Sequence, residues 1–426
     1  MTFAAGTQRP PPRTLPLLYF AAAHAALLVA FAAVAFDPRG AAGFYYHARM
    51  LGIVHLVTLG WITASILGSL YVVGPVALRA PVPARWFDYV AFALVVIGIA
   101  GMVAHFWIEQ YSGMAWSAAT AAAGIVVAGV HIVGVVRRAP LPDAVVAHIV
   151  LAFANIAAAA TFGVLIGFDK IYHFLPGFVL TNVFAHAHLA AIGWAAMMVV
   201  GVAYRLLPMV LPSEMPAGSA LWTSAALLEI GGVGIFLTLL HRARFSWLFA
   251  LIAVGGFAAF FWQVARMLGR PRTRPPGAPS PDAAVLHAGA AFVSLAVACA
   301  LGVALTLMDL SPASLRVAAA YGVFGLLGFL AQIVVGMEGR LVPLLVWYSA
   351  HAIADDKTAV PSPFDMSWRG GREIAFVLWL FGVPALAGGL AFDAVVFVRV
   401  AAWCLLTAAI LDSANLVVVA RYAYRR

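Results

Sequence analysis

One histidine-centred pattern occurs twice in the sequence and predicts its chemistry. His55 opens the motif HLVTLGW, and His188 opens HLAAIGW 133 residues later. Each copy lies in an apolar stretch long enough to cross a bilayer, so two membrane helices place an imidazole at matching depth. Neutral imidazole is a common ligand of metal ions, including heme iron. The pattern therefore predicts two metal ligands, one from each helix.

A third histidine, His186, lies two residues before His188. Residues two apart on an α-helix point roughly 200° away from one another, so these two imidazoles cannot share one metal on one face of the helix. They can serve two centres on opposite faces, as a helix between two hemes would. The sequence therefore predicts a different centre for His186.

The pattern belongs to a longer repeat. The two copies stay in register at Gly68 and Gly201, Tyr71 and Tyr204, and Pro75 and Pro208. A third frame follows with an offset of 135, in which Gly328, Gly336, Arg340 and Pro343 match Gly193, Gly201, Arg205 and Pro208. Val323 occupies the histidine position there. Frames at the second, sixth and tenth spans predict three arcs of four helices each.

Composition defines the class of protein. The chain is 64% hydrophobic and 10% charged, with a mean hydropathy of +1.00, which excludes an ordinary soluble globule. Spans of about 20 apolar residues, without strand-type alternation, predict an all-α polytopic membrane protein of about twelve transmembrane helices. We expect one membrane domain over residues 1–426, with a linker at 269–283, a loop at 351–370 and an uncleaved first helix. The predicted spans are 15–36, 47–74, 86–108, 116–136, 142–167, 179–209, 217–240, 245–268, 284–308, 314–337, 371–390 and 393–420.

The basic residues predict the orientation. With a cytoplasmic N-terminus, eighteen of the 25 Lys and Arg residues fall on the cytoplasmic side and seven on the other. Both termini, the linker and the 351–370 loop are then cytoplasmic, in a bacterial-type plasma membrane. The net charge of +9 is explained by this asymmetry, and a nucleic-acid partner is not required.

This topology gathers several imidazoles in the outer half of the membrane. They are His55, His188, His186, His47, His24 and His105. We expect the last three to be candidate partners of His186. His131 and His148 are expected to be packing residues. Glu229, Glu338 and Asp412 lie in or near the membrane, on a proton path, in structural ion pairs or at a water-filled edge.

Two segments of the sequence, one around each copy of the motif, resemble a known family. Residues 49–75, RMLGIVHLVTLGWITASILGSLYVVGP, resemble the heme-bearing second helix of heme-copper oxidase subunit I and of the related nitric oxide reductases. Residues 186–208, HAHLAAIGWAAMMVVGVAYRLLP, resemble the His-x-His helix of the same superfamily, in particular its cbb3-type and nitric-oxide-reductase branches. The resemblance implies a low-spin heme on His55 and His188, and a high-spin heme iron on His186. The implied heme is of the b type.

Two departures bear on activity. The His-x-His helix is the tenth in the oxidases and the sixth here. The copper site of that family uses a His-His pair, and this sequence contains none. NnrS-like heme and copper membrane proteins, which are linked to nitric oxide tolerance, have about this length and helix count. The resemblance therefore implies that the chain binds heme and does not decide whether it binds copper. It implies that the chain could be a respiratory oxidoreductase that reduces oxygen or nitric oxide.

The expected function is electron transfer, or the binding and reduction of O2 or NO. The expected electron donor is cytochrome c or quinol, and partner subunits are expected. A rival hypothesis is a membrane transporter or metal permease in which histidines form an ion path. It predicts discontinuous helices and carboxylates at the middle of the membrane. A third is a structural membrane subunit without cofactors.

Overall fold

The computed structural model describes residues 10–354 and 360–423, which are helical and contain no β-strand beyond an isolated bridge between Ser213 and Pro271. Twelve of the described helices are long and apolar enough to cross a membrane. This confirms the prediction of an all-α polytopic membrane protein. The helices are Thr14–Phe36 (α1), Ala48–Val76 (α2), Trp86–Trp107 (α3), Tyr111–Val136 (α4), Asp143–Tyr172 (α5), Val179–Val210 (α6), Ala220–Leu240 (α7), Ser246–Leu268 (α8), Ala283–Thr306 (α9), Pro312–Ala352 (α10), Arg369–Ala391 (α11) and Val395–Ala423 (α12). Charged residues used in the predictions that lie outside the described ranges are Arg9, Asp355, Asp356, Lys357, Arg425 and Arg426.

Backbone proximity divides the chain into two compact units. Unit 1 contains α1, α2, α10, α11, α12 and the first part of α9, whereas unit 2 contains α3 to α8 and the last part of α9. His55 and the third frame belong to unit 1, and His186 and His188 belong to unit 2. The expectation of one membrane domain over residues 1–426 stays a prediction.

The predicted end of the tenth span was wrong. The helix was expected over 314–337 and extends to Ala352, so the loop expected at 351–370 begins inside it. Glu338 and Arg340 ended the apolar stretch in the sequence. In the folded chain Glu338 hydrogen-bonds His24 and Arg340 pairs with Asp282, so the helix continues through both charged positions.

Each of the three repeat frames contains a π-helix at the same place. The π-helical segments are Leu56–Thr63, Leu189–Ala196 and Phe324–Ala331, each eight residues long. They begin directly after His55, His188 and Val323, with the same offsets as the sequence repeat. π-Helical turns are rare and concentrate at functional sites. Their matching positions support the three-frame interpretation, including the frame that lacks a histidine.

Glycines pack each frame against the span that precedes it. A Cβ atom would come 2.5 Å from the Cβ of Ala26 at Gly60, 2.9 Å from that of Asn155 at Gly193, and 2.7 Å from that of Ser294 at Gly328. Real Cβ contacts are longer, so these positions require glycine. The second glycine of each frame meets the residue seven positions earlier on the same neighbouring helix, namely Tyr19, His148 and His287. The structural repeat therefore includes α1, α5 and α9.

A buried aromatic ring follows the π-helical glycine in every frame. Trp61, Trp194 and Phe329 are each at most 2% exposed. Within unit 1 the Trp61 indole Nε1 donates to the carbonyl oxygen of Ala331 at 3.4 Å. The π-helical segment of α2 thus contacts that of α10.

Candidate functional site

His55 and His188 have the same local geometry, each within its own unit. His55 Nδ1 lies 2.7 Å from the carbonyl oxygen of Leu51, and His188 Nδ1 lies 2.7 Å from that of Phe184. In both cases the carbonyl belongs to the residue one helical turn earlier. Both side chains are half-buried, and both stand where α-helix passes into π-helix. The repeat in the sequence is therefore also a repeat of side-chain geometry.

These hydrogen bonds determine which nitrogen of each ring carries the proton. A carbonyl oxygen can only accept, so the proton lies on Nδ1 and the lone pair lies on Nε2. Metal-bound histidines commonly donate their second N–H to a backbone carbonyl, which orients the ring and raises its basicity. Both imidazoles thus have the tautomer and the supporting contact that an axial heme ligand requires. Val323 in the third frame has neither.

His186 is oriented by a different helix. Its Nδ1 lies 3.0 Å from the carbonyl oxygen of Ala159 on α5, so its lone pair also lies on Nε2. A Cβ atom at Gly163 would lie 2.8 Å from the His186 ring, which shows that this glycine makes room for the imidazole. The rings of His186 and His188 are therefore held by separate supports. The sequence prediction missed Gly163, which lies outside the repeat motif.

His47 acts as a helix cap. Its Nδ1 accepts from the backbone N–H of Met50 at 3.4 Å, and its Nε2 lies 3.1 Å from the carbonyl oxygen of Gly40. Both ring nitrogens have partners, and the residue begins α2. Nearby, burial raises the pKa of Tyr45 to about 12, so this phenol stays protonated at neutral pH.

The two remaining candidates also have local partners. His105 Nδ1 donates to the carbonyl oxygen of Gly101 at 2.7 Å, and its ring lies against Gly113 between α3 and α4. His24 uses both ring nitrogens, Nδ1 with Ser413 at 2.9 Å and Nε2 with Glu338 at 3.1 Å. We therefore leave His24 and His47 out of the ligand set proposed below.

Within the described residues, no three His, Cys, Asp or Glu side chains lie close enough together to hold a metal ion.

No family model matches the sequence, and no curated protein does either.

Asn155 and Glu229, which the sequence did not predict to interact, form hydrogen bonds next to the π-helix of the second frame. Asn155 Nδ2 donates to the carbonyl oxygen of Gly193 at 3.1 Å and to Glu229 Oε2 at 2.8 Å. Gly193 lies inside the π-helix, where the ordinary helical pairing of backbone groups is altered. Asn155 therefore links the π-helix after His188 to a carboxyl on α7. The equivalent position is Ala26 in the first frame, which cannot form this bond.

His148 and His131 have packing roles, as their surroundings show. His148 is fully buried, with Nδ1 donating to the carbonyl oxygen of Ala144 and Nε2 lying 3.0 Å from the Ser224 hydroxyl oxygen. The Tyr204 hydroxyl completes this chain at 2.7 Å from Ser224. His131 Nδ1 lies 2.8 Å from the buried carboxyl of Asp88.

Proposed function

We propose that this chain is a heme-binding membrane protein in which His55 and His188 are axial ligands of a low-spin, b-type heme. The observation that carries the proposal is their matched environment. Each imidazole is oriented by a carbonyl of its own helix, directly before a π-helix, in a repeat whose third member has valine instead. The bond to the carbonyl one turn earlier also occurs at His105 and His148, so the support comes from the matched positions of His55 and His188 directly before a π-helix.

Electron transfer is the chemistry that this pair supports best. A heme with two axial imidazoles has no open coordination position, so it exchanges electrons rather than binding a gas. The polypeptide orients both rings through the carbonyl oxygens of Leu51 and Phe184. By the resemblance stated above, the electron donor is cytochrome c or quinol.

His186 is the candidate ligand for a second centre, a heme or a copper ion. Its support on α5 and the space provided by Gly163 favour a role distinct from that of His188. Binding of O2 or NO requires an open position, and we assign it to this centre. Reduction of the gas would then use electrons from the bis-histidine heme.

Optical spectra of the purified protein, oxidised and reduced, test the proposal. His55→Ala and His188→Ala are each expected to abolish the same reduced band, and His241→Ala, at an exposed helix end, serves as the matched control. Carbon monoxide should shift a separate part of the spectrum, and His186→Ala should remove only that shift. An unchanged spectrum in either His55→Ala or His188→Ala would contradict the pairing.

A protein without any heme band would instead favour the transporter hypothesis. The buried pair of His24 and Glu338 in unit 1 is the feature that such a function would use.

The charge asymmetry also supports an orientation, which we propose as cytoplasmic for both termini and for the 269–283 linker. A single cysteine placed in that linker should resist membrane-impermeant thiol reagents in intact cells and react after permeabilisation. Labelling in intact cells would reverse the orientation and place the histidines on the inner side.

A further inference from the structure

A buried polar cluster lies within unit 1 and includes none of the proposed metal ligands. It joins His24 on α1, Glu338 on α10, Arg372 on α11, and Asp412 with Ser413 on α12. His24, Glu338 and Arg372 are each at most 8% exposed. Ionisable groups inside a membrane span are costly and are kept where they have a task.

The hydrogen bonds locate a proton between two of these groups. The Ser413 hydroxyl donates to the carbonyl oxygen of Ala409 at 2.7 Å, so its oxygen accepts from His24 Nδ1 at 2.9 Å. The His24 ring is therefore protonated on Nδ1. Its Nε2 lies 3.1 Å from Glu338 Oε2, and two lone pairs would repel at that distance. One further proton must lie between Nε2 and Oε2, on one atom or the other.

The balance of charges in the cluster also requires one bound proton. Arg372 supplies a fixed positive charge, while Glu338 and Asp412 supply two acidic groups. With both carboxyls ionised and His24 neutral the cluster has a net charge of −1, and one bound proton makes it neutral. A neutral cluster is strongly favoured where the dielectric constant is low.

Several polar atoms of the cluster have no hydrogen-bond partner among the residues that the structure describes. They are Glu338 Oε1, Asp412 Oδ2 and Arg372 Nη2, although Arg372 Nη1 donates to the carbonyl oxygen of Gly339 at 2.9 Å. Buried polar atoms without a protein partner are ordinarily hydrated. Water at these atoms would give a proton a route to and from Glu338.

The neighbouring side chains considered next do not change the charge of the cluster. Arg340 on α10 pairs with Asp282, so its charge is balanced locally. His287 on α9 lies near Arg372 and packs edge-on against Phe376. Trp61 of α2 packs edge-on against His24, with ring centroids 5.1 Å apart. None of these groups supplies a second cation to Glu338.

We propose that unit 1 contains a binding site for one exchangeable proton, held between His24 Nε2 and Glu338 Oε2. Loss of this proton leaves opposed lone pairs, so release requires the two side chains to separate or the Asp412 carboxyl to take part. Proton release is thereby coupled to the contact between α1 and α10. This site does not depend on heme.

Modification by a hydrophobic carbodiimide, which reacts with protonated carboxyl groups, tests the site in the full chain in native membranes. Peptide mass spectrometry should find the adduct on Glu338. Its rate should fall about tenfold per pH unit above the midpoint of titration, as for a single proton. Glu338→Gln should remove the adduct, and Glu373→Gln, an exposed glutamate on α11, is the matched control that should leave it unchanged.

His24→Gln separates an exchangeable proton from a static ion pair. Because glutamine removes the imidazole that shares the proton with Glu338, the pH dependence of the Glu338 modification should change in this variant. The same pH dependence of the adduct in the unaltered chain and in His24→Gln would overturn the proposal. An adduct on Asp412 alone, or a rate that does not change with pH, would overturn it as well. The heme spectrum of the same sample reports separately on the proposed function.

Discussion

His55 and His24 lie on packed neighbouring helices of unit 1, yet the fold uses their imidazoles differently. His55 is oriented by the backbone of its own helix, whereas His24 bridges side chains of two other helices. The carbonyl partner of His55 leaves the lone pair on Nε2. The carboxyl partner of His24 shares one proton with Nε2 in the site proposed above. The partner of each histidine, more than its depth in the membrane, therefore determines its chemistry.

The largest expected effect concerns the His24–Glu338 pair. Removing one member of a buried ion pair leaves the other uncompensated, so His24→Leu or Glu338→Leu should each lower the free energy of unfolding by about 3–5 kcal/mol. The double variant should recover much of that loss. Equilibrium unfolding in mixed micelles measures the three values. If the losses in the free energy of unfolding of the two single variants add up in the double variant, the two side chains are not coupled. The proposed difference between His24 and His55 would then be wrong.

The π-helical glycines should give the next largest effect. Gly60→Ala and Gly193→Ala force a Cβ atom against α1 and α5, and overpacking of this kind costs about 1–3 kcal/mol. Both variants should also lower heme content, because the backbone after each histidine must shift. Gly325→Ala is the control, since its Cβ would meet nothing within 4 Å. Full heme content in both variants would separate the π-helix from the histidine site.

The smallest expected effect distinguishes the two histidine frames. Asn155→Ala removes the hydrogen bonds to Gly193 and Glu229, and should lower the free energy of unfolding by about 1 kcal/mol. Ala26→Asn, at the equivalent position of the first frame, gives the reciprocal test. A shift of the heme midpoint potential in Asn155→Ala is expected, because the bond lies next to His188. An unaltered potential would assign Asn155 to packing alone.

Much of the fold could be predicted from the sequence because apolar length alone defines a span. The end of α10 could not, because Glu338 and Arg340 are charged in the sequence and are paired only in the folded chain. The repeat placed His55 and His188 at matching positions. It gave no sign of the π-helices, because apolar periodicity does not distinguish a π-helical turn from an α-helical one. Asn155, Gly163 and Ser413 were missed because they act across helices.

The central claim is that the imidazoles of His55 and His188 bind iron directly. The most direct test replaces each by glycine, which leaves a space that free imidazole can fill. We expect His55→Gly and His188→Gly each to lose the low-spin band of the reduced protein, and added imidazole to restore it in both. An unchanged band in either variant, or a lost band that imidazole does not restore in a folded protein, would contradict direct ligation.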